Sequence, residues 1–417
     1  MNSQFSDFFK LLTARFLFII AVQIQTIILG WHMYDITKNP LYLGFIGLAE
    51  AIPALILALP AGMFVDRHKP LNIYRGVLAV GFLSCLVLAL SQVHEFHLAH
   101  SIEVWALFAS ALISGGARAF NMPSVYAIMP RILPRQNYSR YVTYLTTSTQ
   151  AARIIGPAIG GLLYAYVGVF SASAVACVFV LIAMVVALFI RKNLAAANPR
   201  AKLNSRSSLN ELFTGVKFVF RHKLLLPAMS LDMISVFFGG VTALLPIYAA
   251  EILHVGPQGL GYLRAAPAVG AVLVGFLLTR IEFRHKAGRW LFAAVAGFGV
   301  STIVFAVSHN YALSLIAMFF IGGFDSISMV IRGTTVQLSS PDEMRGRISS
   351  VNAVFIGSSN ELGEFESGVA AKIMGTIPAA VFGGVVCLIT VATTVALAPA
   401  LRALNLRELE VESNSKN

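Results

Sequence analysis

The stretch Gly62–Arg75 reads GMFVDRHKPLNIYR and lies between two long apolar segments. Its charged and titratable residues are Asp66, Arg67, His68, Lys69 and Arg75. Pro70 follows most of these charges, and proline cannot continue a helix because it lacks the N–H group and its ring clashes with the preceding turn. A short charged turn between two apolar runs of membrane-spanning length is typical of a helical hairpin at the membrane surface. The stretch therefore predicts two transmembrane helices joined on one side of a bilayer.

The composition extends this prediction to the whole chain. Of 417 residues, 57% are hydrophobic and 12% are charged, and the mean hydropathy is +0.76. Soluble domains carry about 25% charged residues. A window of about 20 apolar residues spans a bilayer, and about twelve such windows fit along this sequence. The predicted spans of this all-α membrane protein are 11–35, 41–65, 72–92, 103–129, 140–166, 169–190, 225–250, 259–280, 290–308, 312–334, 347–375 and 378–401.

The formal net charge of +12 is distributed unevenly between the loops. Basic residues fall in alternate loops, whereas the other loops carry little more than Lys38 beside Asp35, Glu95, Glu103 and Glu251. Cytoplasmic loops of membrane proteins carry the excess of Lys and Arg, so this pattern predicts that both termini are cytoplasmic. The surplus positive charge is then expected to face anionic lipid head groups rather than nucleic acid.

A weak internal repeat predicts two related halves. One alignment of the chain with itself places Gly115-Gly116 on Gly322-Gly323 and also matches Pro134 with Pro341, Arg140 with Arg347, Gly156 with Gly363 and Gly161 with Gly368. We therefore expect an N-terminal six-helix bundle at 1–190 and a C-terminal six-helix bundle at 224–402. A basic cytoplasmic linker with an amphipathic helix is expected at 191–223, and a short cytoplasmic tail at 403–417.

Gly62, Asp66 and Arg67 form a Gly-x3-Asp-Arg pattern that resembles the signature of the major facilitator superfamily. Pro70 and Asn72 depart from the usual Gly-Arg-Arg continuation of that signature. The resemblance implies a fold of twelve transmembrane helices in two six-helix pseudo-repeats that works by alternating access. It also implies that Gly62 allows close helix approach and that Asp66 and Arg67 latch the cytoplasmic side.

Further motifs narrow the resemblance. Gly156, Pro157, Gly160 and Gly161 resemble the Gly-Pro-x-x-Gly-Gly motif of proton-driven exporters, which implies a helix bend and close packing. The sequence around Arg118 is similar to a motif that carries an intramembrane arginine. The segments 341–347 and 360–368 resemble the siderophore-exporter and macrolide-efflux branch.

Charged residues within apolar spans are costly in a membrane and are functional candidates by default. The predicted proton-coupling and charge network comprises Glu50, Arg118, Arg153, Asp232, Arg264, Asp325, Glu361, Glu364 and Glu366. Arg332 is a further intramembrane charge, and Arg15 lies nearer the cytoplasmic end. The two halves carry opposite signs at matched positions: Arg118 matches Asp325 at the same offset of 207 residues, Glu50 matches Arg264 at an offset of 214, and Arg15 matches Asp232 at an offset of 217. We hypothesise that these charges balance at shared depths.

The predicted eleventh helix carries the densest acidic group. Glu361 and Glu364 are three residues apart and share a helix face, whereas Glu366 projects elsewhere. A carboxylate in a low-dielectric site with a like-charged neighbour takes up a proton more readily, so one of these residues is a candidate coupling site. The alternative is that they pair with Arg264 or backbone groups and hold helices together. For Arg118 the alternatives are a partner that tunes a carboxylate and a structural ion pair.

Other candidate sites have competing interpretations. Gln23, Gln25, Trp31 and Tyr34 fit a substrate cavity, although interfacial positions also explain Trp31 and Tyr34. His94, His97 and His100 have a spacing that a metal site could use, but a solvated loop explains it better, so no metal and no cofactor are predicted. The chain contains no Gly-x4-Gly-Lys-Ser/Thr phosphate loop, which argues against ATP as a direct energy source.

The sequence thus predicts a secondary active transporter that exports a small amphipathic molecule, a drug-like compound or siderophore, by proton antiport. The alternatives are proton-coupled uptake, translocation of a lipid-like substrate, or a non-transporting receptor of the same fold. A membrane enzyme acting on lipid would place its acids and histidines at one membrane face, which disfavours that class. The expected protein is a monomer in a bacterial plasma (inner) membrane, with small-molecule substrate, protons and lipids as partners and no nucleic acid.

Overall fold

The computed structural model describes residues 2–92, 100–132, 138–191, 216–278, 280, 284–341 and 344–410. This part of the chain is helical and contains no strand. The helices are α1 (Asn2–Thr37), α2 (Pro40–Arg67), α3 (Pro70–Leu90), α4 (His100–Ile132), α5 (Tyr138–Leu188), α6 (Leu225–Gly239), α7 (Gly256–Leu278), α8 (Ala287–Val307), α9 (Tyr311–Ser339), α10 (Arg345–Met374), α11 (Thr376–Leu397) and α12 (Pro399–Arg402).

The predicted all-α membrane fold is confirmed. Nine stretches of the described helices are long and apolar enough to cross a bilayer. The longest, Tyr141–Leu188, holds two predicted spans, and its backbone leaves helical geometry at Gly168, where φ is 77° and ψ is 173°. The two remaining predicted spans fall on the more polar helices α4 and α10. Each predicted span therefore coincides with a helix, and the chain is a multi-pass membrane protein.

The charged stretch between the first hairpin helices folds as its sequence predicts. Helix α2 ends at Arg67, and α3 begins at Pro70, where the missing N–H group costs no helical hydrogen bond. The N–H group of His68 donates to the carbonyl oxygen of Phe64 at 3.2 Å and closes the last turn of α2. Proline at the first position of a helix thus separates the two membrane segments by a very short turn.

The described chain divides into two compact units. Unit 1 contains Met1–Ala201 and Leu245–Ala265. Within it α1 packs along α5, and α4 packs against α2 and α3. The segment that returns to unit 1 starts with the short helix Leu245–Ile247 and the π-helical turn Tyr248–Ile252, and it continues into the first half of α7. Unit 1 is therefore a bundle of long helices.

Unit 2 contains Lys202–Leu244 and Ala266–Asn417. Helix α8 packs against α9 and α11, and α6 packs against α10 and α11. Residues 216–221, at the end of the predicted amphipathic helix, are helical, and Val219 is buried in an apolar cluster with Leu225 and Ile348. The bundle boundaries at 190 and 224 remain a prediction from the sequence repeat.

Aligned glycines make equivalent close contacts in the two units. A Cβ atom on Gly115 of α4 would collide with the carbonyl oxygen of Glu50 on α2. Gly322, its counterpart on α9, approaches the carbonyl oxygen of Pro267 on α7 in the same way. Only glycine permits such close backbone approach between membrane helices. The repeat detected in the sequence thus corresponds to a repeated helix-packing device.

Candidate functional site

A buried ion pair links α6 and α9 in unit 2. Asp232 is 5% exposed and Arg332 is 3% exposed, and their side chains form a salt bridge. The hydroxyl group of Ser328 donates to Oδ1 of Asp232 at 3.2 Å. A buried charge is tolerated when it is paired and hydrogen-bonded, and here both conditions hold for the carboxylate.

The helical spacing on α9 brings these groups to one place. Asp325, Ser328 and Arg332 are three and four residues apart, so they lie on one face of the helix. That face borders a cavity of about 200 Å³ in unit 2. Polar side chains lining the cavity are those of Asp232, Thr242, Asp325, Arg332, Ser359 and Asn360, and apolar ones such as Phe298, Met318 and Met329 complete it.

The charges at this cavity are unequal in number. Among its described lining residues two are acids, Asp232 and Asp325, and one is a base, Arg332. Asp325 forms no ion pair with any described residue. With both carboxylates ionised the cluster would carry one excess negative charge, and one bound proton would make it neutral.

The glutamates of α10 stand apart from this cluster. Glu364 and Glu366 are half-buried on α10 and are not among the described residues that line the cavity. The side chain of Glu361 lies outside the described part of the structure. The cavity residues that α10 does contribute are Ile356, Ser359 and Asn360, one turn earlier. The structure thus brings together the two aspartates, whereas the sequence analysis singled out the glutamates of this helix as the densest acidic group.

A second ion pair lies between α2 and α4 in unit 1. Nη1 of Arg118 is 3.3 Å from Oε1 of Glu50, with 53% of the arginine side chain and 15% of the glutamate side chain exposed. Gly115 lies one turn before Arg118 and packs closely on α2, which brings the side chains of Arg118 and Glu50 within reach of each other. The partner of Arg118 is therefore a carboxylate of its own unit, while the hypothesised balance between aligned positions of the two halves remains a prediction.

The other two predicted network arginines also belong to unit 1. Arg153 lies on α5 with an exposed side chain. Arg264 lies on α7, half-buried beside Gly30 of α1. Neither occupies the cavity of unit 2.

The predicted cytoplasmic latch is only partly visible. Arg67 is exposed at the end of α2, and the side chain of Asp66 lies outside the described residues. A Cβ atom on Gly62 would have no atom of the described residues within 4 Å, and close helix approach at this glycine stays a prediction. Arg75 was not assigned a role from the sequence, yet it donates to the carbonyl oxygens of Ala187, Leu188 and Ile190 and so caps the end of α5.

The Gly-Pro-x-x-Gly-Gly segment of α5 provides close packing, as its resemblance implies. A Cβ atom on Gly156 would meet Gln23, and one on Gly160 would meet Ile24, so α1 lies directly on this face. Gly161 is in similarly close contact with the Gly256–Leu278 helix at Gly261. Pro157 lies inside α5, and a bend at this proline stays a prediction; the departure from helical geometry at Gly168 separates the predicted spans 140–166 and 169–190.

The four residues proposed to line a substrate cavity separate into two groups. Gln25 is buried and donates to the hydroxyl oxygens of Ser84 at 2.6 Å and Ser110 at 2.7 Å, so the structure places it in helix packing rather than at a cavity. Gln23 packs half-buried on α5. Trp31 and Tyr34 do line a cavity of about 270 Å³ in unit 1, together with Asp35, Lys38, Ala250, His254 and Gly256.

A polar cluster that sequence reasoning missed lies nearby in unit 1. Nε2 of His32 is 2.7 Å from Oε1 of Glu103, and Nδ1 is 3.0 Å from the hydroxyl group of Tyr164. The hydroxyl group of Tyr34 donates to Glu251. A histidine within the first apolar span was the available signal. Of the predicted histidine triplet, His94 and His97 lie outside the described residues, and the described residues contain no cluster of potential metal ligands.

Comparison with known proteins identifies the class of this chain. A sequence profile of the Major Facilitator Superfamily matches residues 11–363. The chain belongs to the major facilitator superfamily, and it is therefore a member of a family of membrane transporters.

Characterised relatives share low identity over most of the chain. The Staphyloferrin A transporter of Staphylococcus aureus is 20% identical over 370 residues, which is 88% of this chain and 89% of the relative. The Enterobactin exporter EntS of Escherichia coli is 20% identical over 341 residues, which is 81% of this chain and 79% of the relative. A crystal structure of a POT family transporter in complex with 5-aminolevulinic acid has a TM-score of 0.77 at 13% identity, covering 94% of this chain and 96% of that one. This structural likeness supports the fold.

Proposed function

We propose that this transporter exports a small amphipathic molecule, of drug-like or siderophore type, across a bacterial inner membrane in exchange for protons. The observation that carries the proposal is the buried cluster in which one arginine, Arg332, shares a cavity with two aspartates. A cluster with one base and two acids is neutral when it holds one proton, so proton binding and release change its net charge inside the protein.

Proton binding at Asp232 would change the packing of unit 2 through the ion pair. The ionised carboxylate holds Arg332 of α9 against α6, and protonation removes that attraction. The guanidinium group stays charged at all relevant pH values and then has Asp325, in the same cavity, as its remaining acid. Protonation of Asp232 therefore weakens the contact between α6 and α9 and favours a change of packing within unit 2, which we propose accompanies alternating access.

The energy available from protons is sufficient to bias such a rearrangement. One charge moving through 100 mV releases about 2.3 kcal/mol, which changes an equilibrium constant by well over tenfold. The glutamates Glu361, Glu364 and Glu366 remain proposed as further exchange sites on α10. Similarity to the Staphyloferrin A transporter and to the Enterobactin exporter EntS supports a siderophore-like substrate, and the second relative also supports the outward direction. In this proposal both termini are cytoplasmic and the protein acts as a monomer.

A flux assay in liposomes tests the scheme. The full-length protein is reconstituted with a pH-sensitive dye inside, a pH gradient is imposed, and amphipathic compounds are added singly. We expect compound-dependent proton movement in the wild type and its loss in Asp232→Asn. Glu408→Gln is the matched control, because Glu408 is an exposed acid that accepts a hydrogen bond from Asn405 and lines neither cavity described above. Proton movement that is unchanged in Asp232→Asn would refute the assignment, and movement of protons and compound in the same direction would refute antiport.

The same assay separates the aspartates from the glutamates. Asp325→Asn is expected to retain compound binding but to lose proton movement, because the cavity would then hold one acid and one base and need no proton. Glu364→Gln tests the α10 site in parallel. If Glu364→Gln alone abolishes proton movement and both aspartate variants retain it, coupling lies on α10 instead.

A further inference from the structure

Arg15 on α1 is a buried cation within unit 1. Only 4% of the residue is exposed, although it lies within the apolar span Ser6–Thr37. Nη2 donates to the sulphur of Met122 on α4 at 3.0 Å. Nε and Nη1 have no hydrogen-bond partner, and Arg15 forms no ion pair in the described part of the chain.

Among the described residues, none supplies a negative charge to the surroundings of Arg15. The titratable groups close enough to influence it are Tyr74 of α3, Tyr126 of α4 and Arg153 of α5. The hydroxyl group of Tyr74 is likewise buried without a hydrogen-bond partner. A guanidinium group cannot give up its proton in a protein, so this positive charge is permanent and uncompensated. A thioether is a weak acceptor, and the five N–H groups of arginine are best satisfied by an oxyanion that accepts two of them at once.

An anion has a route to Arg15 along one face of α4. Arg118, Met122 and Tyr126 are spaced four residues apart and therefore share that face, and all three side chains are exposed. Met122 covers the guanidinium group, and methionine is unbranched and readily changes rotamer. A rotamer change of Met122 would therefore free Nη2 of Arg15 on the side that faces this surface.

The chemistry of this face fits an amphipathic anion. Met122 and Tyr126 offer apolar and aromatic contact, while Arg153 of α5 lies near enough to Arg15 to add a second positive charge. The carboxylate of Glu50 on α2 already forms an ion pair with Arg118 on this face of α4. The two cations Arg15 and Arg153 therefore have no acidic partner among the described residues of unit 1.

We propose that Arg15 binds the acidic group of the transported molecule and that the substrate is therefore an amphipathic anion. The proposal extends the proposed transport function and rests on it, because the bound anion is taken to be the transported substrate. The substrate anion replaces Met122 at the guanidinium group, and its apolar part lies along Met122 and Tyr126.

Equilibrium dialysis of the full-length protein in detergent tests anion binding with two probes of equal shape. The probes are 2-naphthalenesulfonate and the uncharged 2-naphthalenesulfonamide, both followed by their own fluorescence. The variants are Arg15→Gln and Arg15→Lys. Arg289→Gln is the control, because it removes an exposed arginine at the start of α8 in unit 2.

We expect Arg15→Gln to weaken sulfonate binding about tenfold or more and to leave sulfonamide binding unchanged, because charge-assisted hydrogen bonds are lost. Arg15→Lys keeps the positive charge but loses the planar group that can bind two oxygens at once. Its affinity for the sulfonate is therefore expected to lie between those of the wild type and Arg15→Gln. The control binds both probes like the wild type. Without any probe, Arg15→Gln is expected to unfold at the wild-type temperature or above it, because the variant removes an unpaired buried charge.

Two outcomes overturn the proposal directly. Equal sulfonate binding by wild type and Arg15→Gln shows that Arg15 does not recognise the anion. If Arg15→Gln binds neither probe and also unfolds at a lower temperature than the wild type, Arg15 is a structural residue.

A third arm identifies the source of the anion. Nanodiscs of phosphatidylcholine are compared with nanodiscs that also contain phosphatidylglycerol. Competition between phosphatidylglycerol and the sulfonate, in the wild type and not in Arg15→Gln, would assign the site to a lipid head group and overturn the substrate proposal. The binding measurements contain no proton gradient and therefore do not depend on antiport. If binding depends on Arg15 but the liposome assay shows no proton movement, proton antiport is refuted and the anion site is retained.

Discussion

Replacing Arg332 with Gln tests whether the buried pair of unit 2 carries the charges assigned to it. Both partners are almost fully buried, at 3% exposure for Arg332 and 5% for Asp232. Removing one partner of such a pair leaves an uncompensated buried charge, which costs about 3–5 kcal/mol. Each kcal/mol lowers the unfolding temperature of a unit of 150–250 residues by about 2–4 °C, so the expected drop for unit 2 is about 6–20 °C.

A double-mutant cycle isolates the interaction from other effects of the substitution. Asp232→Asn combined with Arg332→Gln leaves two neutral amides that can hydrogen-bond to each other and to Ser328. We therefore expect the double variant to regain more than half of the stability lost in Arg332→Gln. Unfolding is followed by tryptophan fluorescence of the purified protein, and Trp290 at the start of α8 reports on unit 2.

The Glu50–Arg118 pair supplies the matched control for this cycle. More than half of the Arg118 side chain is exposed, so water and salt screen the attraction and the coupling energy is expected to be below about 1 kcal/mol. Unfolding of Arg332→Gln at the wild-type temperature would refute the reasoning. So would a double variant whose loss equals the sum of the two single losses, because independent effects mean that the pair contributes nothing.

Three further predictions concern helix packing. Gly322→Ala is expected to lower the free energy of unfolding by about 1–3 kcal/mol, because the added Cβ atom on α9 would meet the backbone of α7. Gly116→Ala is the control and is expected to be neutral or stabilising in thermal unfolding, because the space at its Cβ is open. Equal effects of the two substitutions would contradict the packing argument. Gln25→Leu is expected to lower the free energy of unfolding by about 1–3 kcal/mol and to leave substrate flux per folded molecule unchanged. A change of substrate selectivity would show instead that Gln25 contacts the substrate. Arg75→Gln is expected to speed amide hydrogen exchange in the last turn of α5, where its carbonyl contacts lie, and unchanged exchange would exclude the capping role.

Several features of this protein could be predicted because they depend on residues near one another in the sequence. Runs of apolar residues identify membrane helices, since each residue contributes its own transfer free energy to the bilayer. Pro70 predicted the start of α3 in the same local way. The aligned pair Gly115 and Gly322 predicted a repeat because glycine is required wherever two helix backbones touch.

The polar contacts depend on which helices become neighbours. Gln25, a cavity candidate from its sequence, is held by Ser84 and Ser110 of two other helices.

The sequence by itself determined that this chain is a polytopic, helical membrane protein with a duplicated pattern and costly charges inside its spans, because hydropathy and glycine spacing are properties of single helices. Only the tertiary structure decided that Asp232 meets Arg332, that Glu50 meets Arg118 and that Arg15 meets no acid among the described residues. The reason is that Coulomb and hydrogen-bond energies depend on distances between side chains from different helices, and those distances exist only once the helices have packed.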